Sequence, residues 1–222
     1  MKRIGLTQRA HSISGISERR DMLDQRWTGL IERLGGCPLP LANTVQNPEM
    51  YLEALGIDGL VMTGGNDIAT LADATDGASE RDKFEAAAYA YCTEKGIPVL
   101  GVCRGAQMIN QLSGGRMERM PNHVAQRHAI IWSDVLPSSW HCPPAVNSYH
   151  GWAIPADGLA PRLTAAAWAS DRSVEAFYST DAAVTGIIWH PEREDALSSE
   201  ALAFLARALG LDDNQFNAER PE

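Results

Sequence analysis

Two hydrophobic rhythms alternate along the chain. Short apolar, often β-branched runs at 2–7, 38–41, 58–63, 98–102 and 183–189 read as buried strands. Between them the apolar residues recur at helical spacing. Over 18–34, Met22, Leu23, Trp27, Leu30, Ile31 and Leu34 share a face, and Gly35-Gly36 closes the helix after a polar stretch at 8–17. Further helices are predicted over 48–55, 81–95 (Phe84, Ala88 and Tyr91 on one face), 106–112 and 198–209. Strands that alternate with helices imply a parallel sheet with right-handed crossovers. Beyond Gly114-Gly115 the pattern changes to short strands over 116–120, 128–132 and 146–150, then a strand pair at 164–169 and 174–178 feeding the last strand. Tryptophans 132, 140, 152 and 168 fall in this part and read as packing. The expected architecture is one α/β domain over 1–211, a three-layer sandwich around a mostly parallel sheet with a small antiparallel addition, and a frayed tail over 212–222.

The 222 residues suffice for a full α/β core, and no run approaches a membrane span. The start, Met1-Lys2-Arg3-Ile4, passes straight into a strand with no signal-peptide pattern, so a cytoplasmic location is expected. A net charge of −9 speaks against a broad nucleic-acid surface, which needs clustered Lys and Arg, yet local arginines can still hold a small anion. Cysteines 37, 92, 103 and 142 show no paired spacing, so reduced thiols are the default. His123, His128, His141 and His150, even with Cys142, match no regular ligand spacing. Neither a metal nor a cofactor is expected.

The candidate chemistry lies at the ends of two apolar runs. Val99-Leu100-Gly101-Val102 stops at Cys103, which sits between Gly101 and Gly105 at a strand-to-helix turn, the geometry of a nucleophile elbow. The helix that starts there favours thiolate over thiol. The run 183–189 ends in His190-Pro191-Glu192. Pro191 restricts His190 to an extended conformation, and Glu192 can reach back to the second ring nitrogen. Cys103, His190 and Glu192 thus form a nucleophile, a base and an orienter. The 58–63 strand ends in Gly64-Gly65, and in an open parallel sheet that loop faces the same crevice as Cys103. Gln107, one turn into the helix, points back to it.

Gly101-Val102-Cys103-Arg104-Gly105-Ala106-Gln107 together with Trp189-His190-Pro191-Glu192 resembles the class I glutamine amidotransferase superfamily, and within it the stand-alone γ-glutamyl hydrolases of peptidase family C26. The resemblance covers nearly the whole chain. It implies the glutamine amidotransferase-like, flavodoxin-like fold and hydrolysis of a γ-glutamyl amide through a thioester on Cys103. It also implies an oxyanion hole from the backbone N–H groups of Gly65 and Arg104, with Gly64 as the turn that aims them. Gln107 and the segment Asn147-Ser148-Tyr149-His150 would hold the glutamyl group, although Trp152 stands where such proteins commonly carry Gln. The opening segment, with Arg9, and the loop Thr63-Gly64-Gly65-Asn66-Asp67 look like the γ-glutamyl-CDP-amidate hydrolases. That makes CDP-glutamine the favoured substrate and Arg9, Arg19, Arg20 and Arg26 candidate phosphate partners. The alternatives are a γ-glutamyl-GABA-type hydrolase, a glutaminase subunit feeding ammonia to a synthetase partner, and a silent binding module. A homodimer is left open.

Overall fold

A computed structural model describes residues 1–134, 136 and 143–211. In chain order the elements are β1 (Lys2–Leu6), β2 (Arg9–Ser12), β3 (Arg19–Met22), α1 (Arg26–Arg33), β4 (Gly36–Pro40), α2 (Pro48–Leu55), β5 (Gly59–Met62), α3 (Ser79–Lys95) and β6 (Val99–Val102). They continue as α4 (Arg104–Leu112), β7 (Glu118–Arg119), β8 (Val124–Ala129), β9 (Ile131–Trp132), β10 (Ala145–Tyr149), β11 (Trp152–Ala153), β12 (Leu163–Trp168), β13 (Val174–Ser179), β14 (Val184–Ile187), a 3-10 turn (Pro191–Arg193) and α5 (Ser199–Ala208). Eight strands form the central sheet in the order β4-β1-β5-β6-β14-β13-β12-β9. The first five run parallel and the last three join antiparallel.

The parallel strands are buried on both faces, as their near-continuous apolar sequence requires. Alternate residues serve opposite layers. Val61 and Leu100 pack with Trp27, Ile31 and Phe204 of α1 and α5, whereas Leu60, Met62 and Val99 pack with Leu52, Phe84 and Ile109 of α2, α3 and α4. The result is the expected three-layer α/β sandwich. Its C-terminal strand ends bring Thr7, Thr63, Cys103 and the His190 segment to one edge.

Two expectations are corrected. The helix predicted from residue 18 begins only at Arg26, because Arg19–Met22 pairs antiparallel with Arg9–Ser12. Tertiary hydrogen bonds override the helical spacing of Met22 and Leu23: the Asp21 carboxylate accepts from Asn43 N at 2.9 Å and Asn43 Nδ2 at 2.7 Å. The hairpin is tied to the loop after β5 by Asn66, whose Oδ1 accepts from Ala10 N and whose Nδ2 donates to Ala10 O, both at 2.9 Å. The strand expected over 128–132 is also divided, since β8 pairs with β10 in a separate ribbon while β9 closes the edge of the main sheet. The predicted tail over 212–222, like Trp140, His141 and Cys142, lies outside the described residues.

Candidate active site

Cys103 follows β6 with φ 52° and ψ −109°, a backbone conformation an L-residue adopts only under constraint. The constraint is a close approach of the helix to the sheet. A Cβ on Gly105 would lie 1.8 Å from the Met62 carbonyl oxygen, and one on Gly101 would lie 2.7 Å from Ala106 N. Only glycine permits this turn. The elbow is anchored from behind by a buried ionic cluster. The Arg104 guanidinium turns away from the cleft and pairs with Asp82 and Glu85 of α3. Glu85 also accepts from Arg81 Nε at 2.8 Å and Thr7 Oγ1 at 2.7 Å. Burial pulls the Arg81 guanidinium down to about 10 although Glu85 opposes this, so it remains charged near neutrality.

Arg81 also shapes the loop after β5. It donates to Thr63 O at 2.6 Å and Gly64 O at 3.0 Å. In a trans peptide the Gly65 N–H points opposite to the Gly64 carbonyl, hence away from Arg81. Gly65, at φ 91°, lines the cleft with Cys103 and Arg104. Arg104 begins α4, so its N–H is one of the first-turn donors without an intrahelical acceptor. Gly64 has a further role, because a Cβ there would meet His190 Cε1 at 2.6 Å.

His190 is 2% exposed, and its Nδ1 lies 2.6 Å from Glu192 Oε1. Burial alone would lower its basicity, but the Cys103 thiol and the Glu192 carboxylate more than reverse that and raise it to about 9. For Cys103, burial would raise the thiol. The facing His190 prevails, helped by the charge on His150, and the thiol titrates below its ordinary range. The two shifts favour one state, a Cys103 thiolate beside a His190 imidazolium.

The cleft, of about 270 Å³, is lined by Gly65, Asn66, Gln107, Tyr149, His150, Trp152, His190 and Arg193 among others. Gln107 donates through Nε2 to the main-chain carbonyl of Trp152 at 2.7 Å, which fixes this side chain. Tyr149 and His150 line the cleft as expected. Asn147 and Ser148 do not. Asn147 instead carries the backbone of His190, accepting from His190 N at 2.9 Å and donating to His190 O at 2.8 Å. Ser148 is fully buried and donates to His123 O at 2.5 Å. The physical reason is burial: both lie in the covered middle of β10, and only its end, Tyr149, emerges.

Arg9 lies at the rim, outside the cleft lining, bound to Asp76 at 3.0 Å. Arg19, Arg20 and Arg26 are each paired with a nearby carboxylate, Glu80, Glu18 and Asp24. Arg193 does line the cleft, stacked over the Tyr149 ring at 4.7 Å, with its Nε 3.5 Å from Glu192 Oε1. The sequence reading passed over it, although its place next to Glu192 was a usable signal. It also passed over Glu175, an acid inside the apolar run Val174–Ser179, towards which His123, His128 and His150 converge. Three of the four histidines dismissed on spacing therefore do meet in space. His141 lies outside the described residues.

The chain is similar to several known proteins. A γ-glutamyl-CDP-amidate hydrolase of Campylobacter jejuni is 31% identical over 88% of this chain and 92% of its own. A γ-glutamyl-γ-aminobutyrate hydrolase of Escherichia coli O157:H7 is 26% identical over 77% of this chain and 78% of its own. Among solved structures, a glutamine amidotransferase of Thermotoga maritima superposes with a TM-score of 0.62 at 18% identity, covering 86% of this chain and 76% of that one, which speaks for the fold. The model of Peptidase C26 matches residues 4–192, from the first strand through the elbow to the carboxylate that orients His190. By that match the chain belongs to the Peptidase C26 family.

Proposed function

We propose that this protein is a cysteine-dependent γ-glutamyl amide hydrolase whose favoured substrate is γ-glutamyl-CDP-amidate. The observation that carries the reading is the strained Cys103 facing a His190 whose basicity Glu192 raises. With the proton already on His190, the thiolate attacks the γ-carbonyl carbon directly. The oxyanion forms against the backbone N–H groups of Gly65 and Arg104. Collapse breaks the C–N bond, and His190 gives its proton to the departing nitrogen. The neutral imidazole then takes a proton from water, which attacks the thioester and releases glutamate. Glu192 holds the ring in one tautomer throughout.

The leaving group is favoured on two grounds. The Campylobacter jejuni relative covers most of both chains. Arg193 gives the cleft a planar cation suited to a diphosphate, within an otherwise acidic protein. No helix among the described residues is long and apolar enough to cross a membrane. The deciding experiment is glutamate release by the purified chain with CDP-glutamine, γ-glutamyl-GABA and glutamine in parallel, with Cys103→Ala as the blank. Fast Cys103-dependent turnover of CDP-glutamine is expected. Turnover of γ-glutamyl-GABA instead would reassign the leaving group, and turnover of none would overturn self-contained hydrolysis.

A further inference from the structure

His150 lines the cleft, yet its Nε2 faces inward to Glu175 Oε1, 3.7 Å away. Two other imidazoles aim at the same oxygen, His128 Nε2 at 3.4 Å and His123 Nδ1 at 3.7 Å. These nitrogens and both Glu175 oxygens are buried without a hydrogen-bond partner among the described residues. Glu175 itself is fully buried, and the side chains of His123 and His150 are 3% and 2% exposed. So dense a group of unpartnered polar atoms is unusual in a folded interior.

The distances are too long for hydrogen bonds. Where an imidazole in this protein does bond a carboxylate, the separation is 2.6 Å for His190 with Glu192 and 2.7 Å for His123 with Asp171. They are close to the edges of a coordination tetrahedron. Ligand atoms about 2.0–2.2 Å from a zinc ion stand roughly 3.3–3.5 Å from one another, and one ligand atom each of His123, His128 and Glu175 lies within 4.8 Å of the other two.

The outer ring nitrogens settle which inner atoms are free. His123 Nε2 faces Asp171 Oδ2 at 2.7 Å, and His150 Nδ1 faces Trp152 O at 2.9 Å. Both partners are acceptors, so each outer nitrogen carries a proton and the inner nitrogen is the atom left to face Glu175. Outer hydrogen bonds of this kind are also what fixes the tautomer of metal-bound histidine.

We propose that His123, His128 and Glu175, with His150 aimed at the same Glu175 oxygen, form a site for a divalent transition-metal ion, zinc being the ion this donor set suits best. The ion ties the ribbon of β8 and β10 to β13 of the central sheet. Since β10 also carries Asn147, which holds His190, the clamp steadies one wall of the cleft. His128, with 17% of its side chain exposed, marks the way in.

The test uses the untagged full chain stripped with chelator, in both the parent and Cys103→Ala forms, so that an ion held by the catalytic thiol is told apart. Zinc is titrated and counted by mass spectrometry after gel filtration, and cobalt is substituted to read the visible absorption of a tetrahedral centre. One zinc per chain is expected in both forms, together with the tetrahedral cobalt spectrum. His128→Ala and Glu175→Gln should lose that zinc, and Asp171→Asn should weaken binding about 10–100-fold. A Cys103→Ala chain that binds no zinc overturns the site, as does a His128→Ala chain that binds as well as its parent. If Glu175→Gln does not fold, the exposed His128 decides alone.

Discussion

Two groupings of histidine and carboxylate flank Cys103, and they are built differently. His190 and Glu192 are separated by a single proline and meet at 2.6 Å. His123 and His128 at β8, His150 after β10 and Glu175 of β13 come from three separate segments, and the imidazoles stop 3.4–3.7 Å from the carboxylate. In the first, local chain geometry makes the bond, and its consequence is a basic imidazole. In the second, the whole fold sets the spacing, and a gap remains where a charge belongs. The first tunes a proton; the second is laid out around a cation.

The sharpest way to separate the two is by rate. Cys103→Ala or His190→Ala should cost about 10⁴-fold or more in glutamate release, while leaving zinc content intact. Next in size is Glu192→Gln, with an expected loss of about 10³-fold in kcat and a displaced pH profile. In the parent, activity appears as the thiol ionises, below its ordinary value, and is lost as His190 gives up its proton near about 9. Removing the Glu192 charge lowers the His190 value, so the alkaline limb moves to lower pH. Glu175→Gln should leave that limb in place, because Glu175 is not among the groups that raise His190. An equal shift from both variants would break the contrast.

Gly64→Ala should cost about 10²-fold in kcat with little change in thermal stability, since the added methyl displaces the His190 ring it would otherwise overlap at 2.6 Å. Arg193→Ala carries the smallest effect. It should raise KM for CDP-glutamine about tenfold and leave glutamine hydrolysis unchanged. An equal loss on both substrates would remove Arg193 from phosphate recognition.

The parallel core and the meeting of Cys103, His190 and Glu192 at one sheet edge were legible because each rests on local rules. Apolar runs mark strands buried on both faces, two glycines mark the elbow, and Pro191 sets His190. What escaped depends on long-range pairing. The polar residues Arg19 to Asp21 became a strand because Arg9–Ser12 and Asn43 offered partners, which no window of helical spacing could register. Asn147 and Ser148 were read as pocket residues, yet their side chains bond the His190 backbone and His123 O inside the wall. The spacing of His123, His128 and His150 matched no motif because Glu175, on a distant strand, gathers them. An acid within an apolar strand was the one available warning, since a buried charge needs a partner.

The bond between Asn66 and Ala10 has a mechanical consequence. By both donating to and accepting from one backbone residue, Asn66 acts as one rung of a ladder and joins a surface hairpin to the loop that carries Gly65. Hairpin and loop thereby form one lever. A force applied to the outer rim at Arg9 is therefore passed, through that rung, to the loop that bears the Gly65 N–H.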